Sequence, residues 1–197
     1  MGVSVVVGGS SGIGRTIAER LAGEGGDVVV TSRDAARAAA VAAEIGGSSR
    51  GLPVDLAHPE TIAPALASIE AVDRLVVCAT QQAVNSVRDF DLSAAVEAVT
   101  VKLVGYTETV RVLRPRFAPD ASVVLFGGLA FARPYPGSTM VSANNGGIAS
   151  LVKTLALEVA PHRVNAVHPG LVGDSPKWRN TPLEGVIART PIGRTVT

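Results

Sequence analysis

The sequence predicts an α/β protein in which a doubly wound parallel sheet lies between two layers of helices. Short apolar runs rich in β-branched residues alternate with helical segments, which are long enough to connect parallel strands. Hydrophobic residues make up 47% of the chain and charged residues only 18%, as expected for a sheet covered on both faces. A glycine-rich turn separates the first strand from the first helix. We expect a single domain over residues 1–197.

The glycine-rich turn predicts a dinucleotide site. A buried parallel strand is expected over Val3–Val7, and helical spacing follows over residues 13–21. Because glycines leave the turn without Cβ atoms, backbone N–H groups and the positive helix end can approach a pyrophosphate closely. A flexible loop is the alternative, but the place between strand and helix favours a dinucleotide site. The residues predicted to bind it are Gly8, Ser10, Ser11, Gly12, Ile13 and Gly14.

The remaining elements alternate in the same way. Strands are predicted over residues 27–31, 51–54, 74–78, 122–126 and 163–167. Helices are predicted over residues 34–45, 59–69, 92–113 and 146–160, with Pro59 suited to the first turn of its helix. The last stretch, residues 170–197, is broken by prolines and predicts a mobile loop with a short helix.

The composition indicates a cytoplasmic protein that binds a small molecule. Eighteen basic and seventeen acidic residues leave no basic stripe for nucleic acid. No apolar run approaches the ~18 residues of a membrane span, and no signal peptide precedes the first strand. Cys78 is the only cysteine, so an internal disulfide is excluded and a reducing compartment is indicated. We interpret Cys78 as a core residue and not as a nucleophile, and we predict no metal site.

Several motifs, in order along the chain, resemble those of the short-chain dehydrogenase/reductase family. They are the turn glycines, Asp55-Leu56, Asp73, and Asn165-Ala166-Val167 followed by Pro169-Gly170. The resemblance implies a Rossmann-type fold that binds a nicotinamide coenzyme. It implies that Asp55 and Leu56 face the adenine ring, and that Pro169 and Gly170 lie beside the nicotinamide. In the loop after the fourth strand, it places Ala79 against the coenzyme.

The same resemblance bears on assembly and on the extent of the fold. Members of the family associate through their fourth and fifth helices, here residues 92–113 and 146–160, which implies a homodimer or a homotetramer. The chain ends soon after Pro191-Ile192-Gly193-Arg194. We therefore expect its single domain to lack the last helix and strand of the family's fold.

The end of the second strand predicts NADP(H) as the coenzyme. An NAD-specific site usually has a carboxylate here, which accepts hydrogen bonds from the ribose 2′-hydroxyl. Ser32 holds that place and Arg33 follows it. A guanidinium pairs well with a 2′-phosphate through charge-assisted hydrogen bonds. The alternative is that Arg33 is a solvated residue at the start of the next helix, near Asp34.

The resemblance fails where the family carries out its chemistry. The family uses a tyrosine, a lysine four residues later, a serine on the fifth strand and a helix asparagine. The corresponding positions hold Val141, Asn145, Gly128 and Lys102. Because valine has no proton to donate, the usual mechanism is lost and not merely tuned. Lys102 either places a positive charge in the former proton relay or extends along a helix to solvent.

Three other side chains are candidates for the missing acid. His168 precedes Pro169-Gly170 at the carboxyl end of a strand and carries an imidazole, a common general acid, although a histidine bonded to a loop carbonyl is the alternative. Tyr135 lies in a proline-flanked loop and is otherwise a packing aromatic. Ser142 can bind an oxyanion or cap a helix. Two functions follow: an NADP(H)-dependent oxidoreductase acting on a small carbonyl, alcohol or enone, or a catalytically silent NADP(H)-binding or scaffold protein.

Overall fold

The computed structural model describes residues 2–81, 85–178 and 180–196. Its centre is a sheet of six parallel strands in the order β3-β2-β1-β4-β5-β6, which confirms the predicted doubly wound architecture. The strand order reverses between β1 and β4. The strands are β1 (Val3–Val7), β2 (Asp27–Ser32), β3 (Arg50–Pro53), β4 (Val72–Val77), β5 (Phe117–Phe126) and β6 (Arg163–Val167).

Helices connect the strands and cover both faces of the sheet. A π-helical turn, Thr100–Gly105, joins two of them into one long helix. Asp34 begins the second helix, where its Oδ1 accepts a hydrogen bond from the backbone N–H of Arg37 at 2.6 Å. The helices are α1 (Gly12–Gly23), α2 (Ala35–Ile45), α3 (Ile62–Ala65), α4 (Leu92–Val99), α5 (Tyr106–Leu113), α6 (Thr139–Glu158) and α7 (Glu184–Ile187).

Two hydrophobic cores, one on each face of the sheet, account for the three layers. Val5 and Val7 of β1 belong to the core beneath α5 and α6, which also contains Ile148. Val6 belongs to the other core, with residues of α1 and α2 such as Ala18. Because successive side chains of a strand point to opposite faces, the continuous valine run is buried on both sides.

Two predicted helices have different bounds in the structure. The helix predicted over residues 59–69 is wrong, since a 3₁₀ turn at Pro59–Thr61 leads into the four-residue α3. Pro64 explains the break, because it has no N–H to donate and its ring clashes with the carbonyl one turn earlier. The helix predicted from residue 146 begins at Thr139 instead. Burial of Ile148 against the sheet outweighs the low helix propensity of the asparagines and glycines in the first turns.

The fifth strand is also longer than predicted, because it begins at Phe117 and not at residue 122. Phe117 pairs with Val72, and the register then shifts before Ser122 pairs with Arg74. This irregularity interrupts the hydrophobic alternation that would have revealed the first half of the strand.

The described part of the last stretch contains the predicted short helix, α7. It also contains a parallel bridge in which the Gly173 N–H donates to the Val196 carbonyl at 2.9 Å. None of the helices in the described ranges is long and apolar enough to cross a membrane.

Candidate functional site

A cleft of about 470 Å³ runs along the carboxyl edge of the sheet, where the strand order reverses between β1 and β4. Ligands of open α/β sheets bind at such a reversal. All thirteen residues predicted to contact the coenzyme line this one cleft. They are Gly8, Ser10, Ser11, Gly12, Ile13, Gly14, Ser32, Arg33, Asp55, Leu56, Ala79, Pro169 and Gly170.

The turn after β1 requires glycine at two positions because backbone lies against it. Gly8 has a φ of +84°, and a Cβ there would lie 2.5 Å from the backbone N of Ala79. A Cβ on Gly14 would collide with the carbonyl oxygen of Gly8 and would lie 2.6 Å from Cys78 Sγ. The Gly8 N–H donates to Thr31 Oγ1 at 3.2 Å, which fixes the turn to β2. The turn is therefore held close to the ends of β2 and β4.

The first turn of α1 opens into the cleft beside this glycine turn. Ser11 precedes the helix in an extended conformation, and its side chain makes no capping hydrogen bond. Ser10, Ser11 and Ile13 line the cleft together with the turn glycines. The start of a helix carries unsatisfied N–H groups and a partial positive charge, so this end of the cleft suits a diphosphate.

Two arginines mark one end of the cleft. Arg33 and Arg37 both line it beside Ser32, and neither makes an ion pair with any carboxylate in the described part of the chain. Sequence reasoning identified Arg33 and missed Arg37, although the spacing of four residues could have indicated it. Nearby, Asp55 is held by the Ala57 N–H at 3.0 Å and by His58 Nδ1 at 3.2 Å. This end of the cleft therefore carries two arginines and one carboxylate.

The other end of the cleft holds the three residues of the sequence that replace the expected phenol, amine and serine hydroxyl. Val141 and Asn145 of α6 line it together with Gly128. Asn144 and Asn145 are each only 6% exposed, and neither side chain makes a hydrogen bond within the described residues. A Cβ on Gly128 would lie 2.7 Å from Asn145 Nδ2, so these two positions are in contact. These two largely buried amides line the cleft, and a ligand there could form hydrogen bonds with them.

A lysine and a tyrosine lie beneath the same end of the cleft. Lys102, in the π-helical turn, is 6% exposed and lines the cleft, so it does not extend to solvent. Its Nζ lies 3.4 Å from Tyr106 Oη. The Tyr106 hydroxyl donates to the carbonyl oxygen of Ala79 at 2.8 Å. Burial raises the pKa of Tyr106 well above its ordinary value, so the phenol stays protonated.

Cys78 forms part of the cleft wall below the glycine turn. Its Sγ lies 3.2 Å from the carbonyl oxygen of Val7. Burial raises the pKa of the Cys78 thiol to about 12, and the nearby charge of Lys102 lowers it less. The thiol therefore stays protonated at neutral pH, where a nucleophile would need to be a thiolate.

The three predicted catalytic residues are not brought together in the cleft. His168 lies behind it, where Nδ1 accepts the Gly128 N–H at 3.2 Å and the ring packs 4.5 Å from that of Phe131. Tyr135 and Ser142 line a second hollow of about 680 Å³. There the Ser142 hydroxyl donates to the carbonyl oxygen of Ala130 at 2.9 Å. Of the three, His168 is the one whose side chain bonds to a residue that lines the cleft, Gly128.

The segment from Val172 to Trp178 lies over the middle of the cleft. Val172, Ser175, Pro176 and Trp178 line it from this side. A Cβ on Gly12 would lie 3.7 Å from Ser175 Oγ, so the segment comes close to the start of α1. Within the described ranges, no three His, Cys, Asp or Glu side chains are grouped as a metal site would require.

Comparisons with known proteins agree with this geometry. A family model described as short chain dehydrogenase matches residues 2–182. The short-chain reductase protein NovJ of Streptomyces niveus is 33% identical over 181 residues, which cover 86% of this chain and 69% of that protein. The 3-oxoacyl-(acyl-carrier-protein) reductase FabG of Aquifex aeolicus is 33% identical over 188 residues, covering 86% and 73%. A dehydrogenase/reductase from Sinorhizobium meliloti superposes with a TM-score of 0.89 at 29% identity, covering 99% of this chain and 82% of the other.

Proposed function

Since the chain belongs to the short-chain dehydrogenase family, we propose that it is an NADP(H)-dependent oxidoreductase with a non-standard active site. Its substrate would be a small carbonyl, alcohol or enone. Members of this family are oxidoreductases that bind nicotinamide coenzymes. The observation that carries the proposal is one continuous cleft that joins the glycine turn, two arginines and the altered catalytic positions.

The residues that line the cleft fit a nicotinamide dinucleotide. The glycine turn and the first turn of α1 would hold the diphosphate, because Gly8 and Gly14 leave no room for a Cβ. Asp55 and Leu56 would lie beside the adenine ring, and Pro169 and Gly170 beside the nicotinamide. When bound, the coenzyme supplies or accepts a hydride. The chain's own part is to orient it, to exclude water with the 172–178 segment, and to provide the proton.

The choice of NADP(H) over NAD(H) rests on charge. Arg33 and Arg37 would surround a 2′-phosphate, and neither forms an ion pair with a described carboxylate that would have to be displaced. Ser32 provides a hydroxyl where an NAD-specific site usually has a carboxylate. Charge-assisted hydrogen bonds from guanidinium to phosphate favour the phosphorylated coenzyme.

The source of the proton sets this protein apart from the family's pattern. Val141 cannot donate a proton, and the amide of Asn145 does not ionise in the range of pH that proteins tolerate. Of the three candidates from the sequence, His168 contacts the backbone of Gly128, which lines the cleft, whereas Tyr135 and Ser142 line the second hollow. His168 is therefore the first of the three to test.

A catalytically silent NADP(H)-binding or scaffold protein is the second candidate function. The observation that favours it is the replacement of the phenol position by Val141, with the Ser142 hydroxyl already bonded to Ala130 and 2.9 Å from that of Ser138. Such a protein would keep the cleft and lose turnover.

For the oxidoreductase, a carbonyl substrate is supported by the name of the Aquifex aeolicus relative, which is a 3-oxoacyl-(acyl-carrier-protein) reductase.

Coenzyme titration followed by a turnover screen tests the proposal. We expect the quenching or enhancement of NADPH fluorescence to show binding that is tighter than that of NADH. Oxidation of NADPH would then be followed against panels of ketones, aldehydes and enones, in the parent and in His168→Ala and Tyr135→Phe. If the protein binds neither NADPH nor NADH, the proposal is rejected. Tight binding without turnover favours the silent protein, and turnover that survives both substitutions excludes His168 and Tyr135 as the donor.

We also propose a cytoplasmic homodimer or homotetramer in which α4, α5 and α6 meet the neighbouring subunit. Large apolar side chains on α4 and α6 are exposed, among them Leu92 at 67%, Val96 at 57% and Leu157 at 81%. Exposed apolar patches of this kind mark interaction surfaces. Light scattering should give two or four times the mass of one chain. We expect Val96→Glu with Leu157→Glu to give a monomer, and a monomeric parent would contradict the proposal.

A further inference from the structure

A buried cation lines the cleft at the end where the family's catalytic residues are missing. Lysine is almost never fully buried unless it is paired, and Lys102 is a nearly buried lysine, only 6% exposed. Its Nζ lies 3.4 Å from Tyr106 Oη and 5.1 Å from the centre of the tyrosine ring. Burial of this charge is costly, so its position indicates a role that an apolar residue could not take.

Tyr106 fixes the position of the ammonium group. Its hydroxyl donates to the Ala79 carbonyl at 2.8 Å, and the Phe126 carbonyl lies 3.3 Å away. Because its single proton is directed to these carbonyls, the oxygen is left to accept from Lys102 Nζ. The phenol itself stays protonated, so in this pair the ammonium holds the proton that can be transferred.

The π-helical turn brings Lys102 to this place. An extra residue in one turn rotates the following side chains by about 100° relative to a regular α-helix. The Thr109 hydroxyl donates to the Gly105 carbonyl at 2.7 Å, which satisfies one carbonyl of the disturbed turn. A Cβ on Gly105 would lie 2.7 Å from Leu56 Cβ, so the turn packs closely on the loop after β3. The position of Lys102 is thus built into the fold.

We propose that Lys102 is the catalytic acid, and that Tyr106 is its positioning residue. This inference rests on the proposed function. In carbonyl reduction the reduced nicotinamide nucleotide supplies the hydride, which forms the new C–H bond. The π electron pair of the C=O bond moves to the oxygen, the Nζ–H bond of Lys102 breaks, and an O–H bond forms. The neutral amine keeps the electron pair, and after the product leaves it takes a proton from entering water, which departs as hydroxide.

The titratable groups around Lys102 are consistent with this assignment. Tyr106 lies behind it, Cys78 lies at the end of β4, and Glu97 of α4 lines the same cleft. α6 contributes the neutral amides of Asn144 and Asn145. The amides can bind a substrate oxygen but cannot protonate it, and the Cys78 thiol has a pKa of about 12.

Variants of two lysines test the assignment by turnover and by binding. Lys102→Met removes the charge at nearly constant length, and Lys153→Met on the exposed side of α6 is the matched control. We expect Lys102→Met to bind NADPH within about 3-fold of the parent and to lose at least about 100-fold in kcat. Lys153→Met should leave both the affinity for NADPH and kcat unchanged. A kcat for Lys102→Met within about 3-fold of the parent overturns the inference and leaves the proposed function standing.

Nuclear magnetic resonance gives a readout that does not depend on turnover. The sequence has three lysines, so each ε-methylene signal of ¹³C-lysine-labelled protein is assigned by its loss in a methionine variant. We expect the titration midpoint of Lys102 with saturating NADP⁺ to match the alkaline limb of the kcat profile. Tyr106→Phe keeps the ring and removes the hydroxyl that lies 3.4 Å from Lys102 Nζ. The titration midpoint of Lys102 and the alkaline limb of the kcat profile should therefore shift by the same amount. A kinetic limb unrelated to the Lys102 midpoint overturns the inference.

The remaining outcomes are also decisive. If Lys102→Met does not fold, the match of the two midpoints in the parent decides the assignment. A parent that is saturated with NADPH but reduces nothing in the panels overturns Lys102 as an acid and favours the silent protein. A parent that binds neither coenzyme rejects the proposed function, and the inference falls with it.

Discussion

Replacement of Gly8 with alanine should weaken NADPH binding by at least about 100-fold and lower the free energy of unfolding by about 2–4 kcal/mol. The residue has a φ of +84°, and the added Cβ would lie 2.5 Å from Ala79 N and 2.6 Å from Ala79 Cα. Both contacts are with backbone, which cannot rotate away. Either the turn moves off β4 or the strand end shifts, and in both cases the proposed diphosphate site loses its shape.

Gly23→Ala is the matched control for this experiment. Gly23 ends α1, the same helix that the turn begins, and a Cβ there meets nothing within 4 Å. We expect unchanged coenzyme binding and a gain of up to about 1 kcal/mol in stability. NADPH titration and urea unfolding measure both variants. If Gly8→Ala binds NADPH as tightly as Gly23→Ala, the glycine turn is not the diphosphate site.

Arg33→Ala should reduce the preference for NADPH over NADH by about 10- to 100-fold, and a second substitution at Arg37 should remove what is left. Both arginines line the cleft, as does Ser32. The loss should fall on NADPH alone, because NADH has no 2′-phosphate for the arginines to bind. Raised ionic strength should diminish the parent's preference in the same direction, since exposed charges are screened.

Arg133→Ala, in the exposed loop after β5, is the control for loss of a positive charge. It should leave both dissociation constants unchanged, as measured by fluorescence titration at one salt concentration. Equal affinities for NADPH and NADH in the parent would contradict the proposed specificity, whatever the variants do.

The sheet could be predicted from the sequence because its strands are buried on both faces. A run such as that of β1 needs hydrophobic β-branched residues at every position, and few helices have such a run. The turn after β1 could also be predicted, since local backbone geometry requires its glycines. All thirteen predicted coenzyme contacts line one cleft because parallel strands bring their carboxyl ends to one edge.

Helix bounds were predicted less well because tertiary packing overrides local propensity. Asn144 to Gly147 favour a loop by themselves, yet they lie inside α6, which is fixed by the burial of Ile148 and Leu155. Pro64 explains the break between the 3₁₀ turn and α3, and a prediction that weighted its missing N–H more heavily would have found this.

The Lys102–Tyr106 pair was beyond sequence reasoning for a different reason. Their spacing of four residues is compatible with contact on a helix, and this was the available signal. The π-helical turn determines the direction in which the pair faces. No residue pattern in Thr100–Gly105 predicts that turn. The placement of Tyr135 and Ser142 in a second hollow likewise follows from the loop before α6, whose path the sequence does not determine.

The contact between Gly128 and Asn145 makes these two positions interdependent. A serine at 128 would bring its Cβ to 2.7 Å from Asn145 Nδ2, so the Asn145 side chain would have to shift. The effects of substitutions at contacting residues on the free energy of unfolding are not additive. The effect of the double substitution differs from the sum of the two single ones. A side chain larger than hydrogen at position 128 is therefore accommodated only if the side chain at position 145 moves or is made smaller.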